Sequence, residues 1–309
     1  MKRFVFVLVF IVIIVVGIGF FLPSQKTFST TVNASLPFDG ISRVMVNKGQ
    51  WQNWWPGNIL NDSTVVFKET PISINLILLN GFKGSATEKN LTTDLDLQCI
   101  TTYNAETAMT LNTVIHFSSN PLTKVFQYLG AASRQKKYEE LLTQLKEAFS
   151  DVKKVYGFDI QMGKVPNSAY ISTKNNFDYY PSNEEIYKMI DEIRTYILSA
   201  NSKVMNDPIL NIVKENDHSY MAMVALAADR ELPAKGKFMP KNMMLGNIVV
   251  AQVIGGPATI EKCRQAVQFY VNDFRKISPA IAFERMITNR LTEKDSSRWV
   301  TSINYPVFQ

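Results

Sequence analysis

Side chains able to do covalent or metal chemistry are few and scattered in this 309-residue sequence. Cys99 and Cys263 are its only cysteines, and His116 and His218 its only histidines. No zinc-type spacing and no Cys/His neighbourhood exists, and no Gly-x-Ser-x-Gly elbow marks a serine nucleophile. The expectation is therefore no metal and no cofactor. Cys99 falls on a strand of one half and Cys263 on an amphipathic helix of the other, so two buried, unpaired thiols are expected rather than a disulfide. His116, within Val114-Ile115-His116-Phe117, reads as a tolerated strand residue. The densest aromatic cluster is Trp51-Gln52-Asn53-Trp54-Trp55-Pro56-Gly57. Trp51, Trp54 and Trp55 could line a pocket or sit at a membrane interface; the reading preferred is that they seal one end of a sheet.

The elements that must position these groups begin with an apolar run. Lys2-Arg3 precedes Phe4–Leu22, which carries no charge and only Gly17 and Gly19 as non-apolar residues. As a helix this run is roughly 28 Å long at ~1.5 Å per residue, against a hydrocarbon core of ~30 Å. Residues 1–26 are expected to be an uncleaved transmembrane signal-anchor spanning the membrane through residues 4–22. The following Pro23-Ser24-Gln25-Lys26 offers no small-x-small cleavage site. The two basic residues place the N-terminus in the cytoplasm, which gives a single-pass inner-membrane protein with extracytoplasmic domains.

The formal charge of +6 is spread rather than clustered. Residues 27–154 hold twelve basic and eleven acidic side chains, and residues 155–309 hold eighteen and sixteen. A nucleic-acid-binding face needs a clustered excess, so no nucleic-acid partner is expected. Length predicts two domains beyond the apolar run. In the first, alternation at 26–34, a short helical segment and strands at 64–69, 72–80, 84–91, 95–103 and 108–117 form an antiparallel meander. A long helix follows, with Tyr138, Leu141, Leu142, Leu145, Ala148, Phe149 and Val152 on one stripe. In the second, strands are read at 159–163, 168–175, 209–214, 220–227, 247–254 and 299–307. One helix opens at Ser182-Asn183-Glu184-Glu185, and a second follows Gly255-Gly256-Pro257. The fold class is α+β.

Residues 27–154 resemble the SRPBCC superfamily (START-like, polyketide-cyclase-like). The resemblance rests on Thr30-Thr31-Val32-Asn33-Ala34, a short helix, the Trp-x-x-Trp-Trp-Pro turn, the meander and the closing helix. It implies a helix-grip fold around an apolar cavity, although six strands are read here where the family has seven. Residues 155–309 resemble the GyrI-like family, the effector-binding domain of AraC- and MerR-type regulators. That resemblance is carried by Gly255-Gly256-Pro257, by Phe283-Glu284 and by the terminal Trp299–Val307, and it implies a pseudo-duplicated (β-α-β-β)2 domain. It further implies a cleft between the two helices and the sheet, lined by aromatics, with Glu284 at its base. Tyr170, Tyr220 and Tyr305 lie on strands from which they could reach such a cleft. Against the family pattern, Ala258 and Asn304 stand where many members have tyrosine.

Three functions follow from these readings. The first is a membrane-anchored, non-enzymatic protein that binds a small amphipathic or cationic molecule. The second is a hydrolase of electrophilic small molecules with Glu284 as general base. The third is an envelope scaffold whose two pockets have degenerated. The bland alternative for Glu284 itself is a salt bridge with Arg285 or a nearby lysine, or plain exposure at a helix end.

Overall fold

The computed structural model describes residues 2–104, 106–166, 169–278 and 280–308, without the side chains of residues 2–5 and 7–9. The chain forms two compact units, Met1–Val155 and Tyr156–Gln309.

The first unit opens with α1 (Lys2–Phe21), then β1 (Gln25–Ala34), α2 (Phe38–Val46) and α3 (Trp51–Trp54). Six strands follow: β2 (Asn58–Asn61), β3 (Thr64–Phe67), β4 (Thr70–Leu78), β5 (Gly81–Glu88), β6 (Leu91–Thr101) and β7 (Thr107–His116). The unit closes with α4 (Pro121–Ala148), and the boundary falls at the last residue of α5 (Val152–Tyr156). Its sheet runs β1-β7-β6-β5-β4-β3-β2, with every neighbouring pair antiparallel. Asn120 caps α4 by accepting from Thr123 N–H at 3.2 Å, and Pro121 occupies the first turn, where its missing donor costs nothing. Tyr138, Leu141, Leu142, Leu145 and Ala148 of α4 are buried. The sheet has seven strands rather than the six expected, because β2 is exposed along its whole length and shows no alternation to read.

The transmembrane part of the expected fold requires correction. Residues 2–21 are helical, yet no helix among the described residues is long and apolar enough to cross a membrane. A span needs ~20 consecutive apolar residues facing lipid. Part of the expected run, at residues 4, 5 and 7–9, lies outside the described side chains. One face of the last turns of α1 lies against α4, while Ile18, Phe20 and Phe21 are exposed: Gly19 is buried, and a Cβ there would lie 2.2 Å from the carbonyl oxygen of Pro121. Lys124 Nζ also reaches the carbonyl of Leu22 at 3.5 Å. The expected separate anchor at 1–26 is thus part of the first compact unit. The single-pass localisation, with a cytoplasmic N-terminus and extracytoplasmic domains, rested on that span and falls with it.

The second unit contains β8 (Ile160–Lys164), β9 (Ala169–Phe177), α6 (Asn183–Ser199), β10 (Ile209–Asn216) and β11 (Ser219–Ala227). It continues with β12 (Met239–Asn242), β13 (Asn247–Ile254), α7 (Pro257–Asp273), β14 (Phe283–Met286) and β15 (Val300–Val307). These strands form one antiparallel sheet in the order β12-β9-β11-β10-β14-β15-β13-β8. Ser168, where a strand was expected to begin, lies outside the described residues. Ile186, Ile190, Ile193 and Ile197 of α6 pack with Ile171, Ala222, Val224, Leu226 and Met286 of the sheet. Burial of one branched aliphatic side chain contributes ~1.5–3 kcal/mol, so this stripe holds α6 in place. Gly255 (φ +149°) turns β13 into α7, where a Cβ would meet the Thr259 side chain at 2.8 Å.

Candidate functional site

Strand alternation decides which side chains of the second unit reach its helices. Leu210 of β10 lies opposite Glu284 of β14, and Glu284 opposite Ile303 of β15. These three therefore share the face that carries α6 and α7, while Ile209, Phe283 and Arg285 face the other way. Between the beginnings of α6 and α7 opens a cleft of about 530 Å³. Tyr180, Pro181, Ile186, Pro257, Arg264 and Trp299 are among its walls, with Glu284 and Arg290 on its floor.

Glu284 is only 8% exposed, so its charge must be compensated. Arg264 of α7 donates a hydrogen bond to Oε1, and Arg290 Nη2 donates to Oε2 at 3.2 Å. Arg290 is itself buried. It also donates to Thr301 Oγ1 at 3.0 Å, and its guanidinium carbon lies 4.9 Å from the centre of the Trp299 ring. Its backbone N–H donates to Tyr187 Oη at 2.9 Å. Arg264 differs: its side chain is 42% exposed, and Nη1 is shared with Glu261 Oε2 at 3.0 Å. One arginine is thus built into the floor, while the other reaches in from solvent. Burial pushes the Tyr180 hydroxyl above the usual phenol range, and the Glu284 charge adds to that shift. Burial likewise pushes the Cys263 thiol up to about 12.

The expected site residues part company here. Glu284 lies in the cleft, but it pairs with Arg264 and Arg290 and not with Arg285. Tyr220 stands behind the wall, edge-on to Tyr180 with ring centres 5.7 Å apart. Tyr170 lies on the opposite face, because its neighbour Ile171 is the residue packed with α6. Tyr305 borders neither this cleft nor the cavity on that opposite face. Sequence reasoning missed Tyr180, Arg264, Arg290 and Trp299 as site residues. Only the step from Glu261 to Arg264, one helical turn, was a signal readable in the chain.

In the first unit the three tryptophans pack together. Ring centres of Trp51 and Trp54 lie 5.0 Å apart, and those of Trp54 and Phe149 lie 4.8 Å apart. Each indole N–H donates to a backbone carbonyl: Trp51 to Met45 at 2.7 Å, Trp54 to Val44 at 3.3 Å and Trp55 to Val66 at 3.0 Å. With their polar ends satisfied and 5% or less of each exposed, these side chains brace the sheet. Cys99 and Cys263 are both buried and unpaired. His116 pairs with Asp94 at 2.7 Å on the surface. Among the described residues, no group of three or more His, Cys, Asp or Glu side chains could hold a metal ion.

No protein-family model matches the chain, and no curated relative matches it. Among solved structures, it is similar to the EcmrR C-terminal domain at 15% identity, covering 49% of this chain and 98% of that one, with a TM-score of 0.42. It is also similar to a hydrolase from Listeria innocua at 9% identity, covering 48% and 92%, with a TM-score of 0.39. A third similar structure is SAV2435 bound to tetraphenylphosphonium, at 13% identity, covering 48% and 94%, with a TM-score of 0.32.

Proposed function

We propose that residues 155–309 form a GyrI-like effector-binding domain that captures a small amphipathic cation in the Glu284 cleft, without chemical conversion, and that residues 27–154 form an SRPBCC-like domain. The observation that supports capture is a buried carboxylate whose two partners are unequally held. Arg290 is fixed by Thr301, by Trp299 and, through its own backbone N–H, by Tyr187, whereas Arg264 rests on the mouth of the cleft from an exposed stem. A ligand cation entering beside Tyr180 replaces Arg264 against Glu284, so one cation is exchanged for another and the carboxylate never stands bare. Aromatic faces add ~0.5–2 kcal/mol per cation contact, and the cleft volume falls within the ~300–1,000 Å³ of ordinary ligand sites.

The alternative in which Glu284 acts as general base has less support. Each carboxylate oxygen already accepts from a guanidinium, so a water to be activated must share its oxygen with Arg264 or Arg290. Titration of the protein with tetraphenylphosphonium, read by calorimetry, tests the capture reading. Saturable binding is expected, at least tenfold weaker in Glu284→Gln and several-fold tighter in Arg264→Gln. Equal affinity in all three proteins, or no binding in any, would overturn it.

A further inference from the structure

Arg264 does more than meet Glu284. Its guanidinium spans two carboxylates from different elements. Nη1 donates to Oε2 of Glu261, one turn earlier on α7, at 3.0 Å, and Nη2 donates to Oε1 of Glu284 on β14. Both acids border the cleft. The remaining oxygen of each has its own donor: Gln265 Nε2 reaches Glu261 Oε1 at 3.1 Å, and Arg290 Nη2 reaches Glu284 Oε2 at 3.2 Å. One oxygen of each acid is therefore left to a shared partner, and the two lie close enough for the terminal nitrogens of a single guanidinium to serve both. Such a head offers its N–H groups on a rigid planar fork, whereas an ammonium is a compact point charge. A quaternary cation has no N–H to offer. The Arg264 and Glu261 side chains are both exposed, so this bridge can be vacated without stranding a buried cation. Beside it the cleft offers apolar walls in Pro181, Ile186, Leu210, Pro257 and Ile260.

We infer that Arg264 fills the place of the ligand's own head group, and that the ligand is a guanidinium or amidinium on an apolar body. This rests on the reading of the Glu284 cleft as a site of cation capture and narrows the cation it takes. Two nitrogens of the head accept no partner but the Glu261 and Glu284 oxygens that Arg264 gives up, and the body lies along the apolar walls. A quaternary head balances the charge of Glu284 but leaves its Oε1 without a hydrogen-bond donor, which a buried carboxylate tolerates poorly. Glu261 is thereby a specificity-determining residue: it selects a fork over a point charge.

The test is calorimetric titration of the whole protein with octylguanidinium, octylammonium and octyltrimethylammonium, with tetraphenylphosphonium titrated alongside. Octylguanidinium is expected to bind saturably, at least about fivefold tighter than either of the other octyl cations. In Glu261→Gln that ratio falls below about twofold, because the fork has lost its second charged acceptor. Equal affinity for the three octyl cations, each lowered in Glu284→Gln, would overturn the guanidinium assignment and leave capture at Glu284 standing. A preference undiminished in Glu261→Gln would overturn the bridge in the same way. Failure of every cation to bind, tetraphenylphosphonium included, would remove the capture reading itself and this inference with it.

Discussion

Glu284 and its two arginines show how unequal the members of one ion cluster can be. Truncating one member of a buried pair typically costs ~3–5 kcal/mol, because the charge left behind has lost its water and its partner. Arg290 is 8% exposed and bonded on several sides, so Arg290→Met is expected to destabilise the second unit by about 3 kcal/mol. Arg264→Gln, at a side chain 42% exposed, should change stability by less than ~1 kcal/mol. Urea unfolding of both variants checks the contrast, and equal losses would contradict it. The sequence could not show this inequality. Residue 290 follows the carboxylate by six positions and residue 264 precedes it by twenty, and only the fold brings each of them to one of the two oxygens of the same carboxylate.

The start of α6 is the element most legible in the sequence. Ser182 accepts from Glu185 N–H at 3.2 Å, and the Glu185 carboxylate accepts from Ser182 N–H at 2.8 Å, a reciprocal capping box. Ser182→Ala is expected to lower stability by about 1 kcal/mol, seen as a lower urea midpoint for the second unit. The Tyr179 hydroxyl and the Ser182 backbone hold the Glu185 carboxyl below the usual glutamate range. A depressed folded value means that the associated stability is present above the ordinary glutamate range and is lost as pH falls through the lower value. Thermal unfolding followed from pH 6 to pH 3 should therefore decline less steeply in Glu185→Gln than in the unaltered protein. Elements with strong periodicity were readable: β13 occupies the expected 247–254, and the four isoleucines of α6 are buried as spaced. The two short strands exposed along their length, β2 and β12, were not, since they bury nothing that would pattern the chain. Tyr170 was placed on the wrong face because strand parity can be counted only from a neighbour of known burial. The apolar run at the start was legible as a helix; its crossing of a membrane was not a property that its composition alone could establish.

At the scale of the whole molecule, each compact unit carries one buried thiol, Cys99 in the first and Cys263 in the second. Burial pushes both thiols up to about 12, so near pH 8 neither offers a reactive thiolate while its unit is folded. Labelling with a chromogenic disulfide along a urea gradient is expected to modify neither cysteine in the native protein, and then each as its own unit opens. Peptide mapping assigns the two events. Rapid labelling of either cysteine without denaturant would contradict the burial described here.

The strand order of the second unit has a consequence for how the protein is made. β15 lies in the interior of its sheet, between β14 and β13, yet it is translated after every other strand of that sheet. Until the residues of β15 clear the ribosome, two hydrogen-bonding edges face an empty slot, and an unfilled edge invites pairing with another chain. The first unit can close while synthesis continues, but the second must wait for its keystone. A nascent chain stalled just short of position 300 would therefore carry one finished body and one sticky half-sheet, a substrate for chaperones rather than a partly active protein.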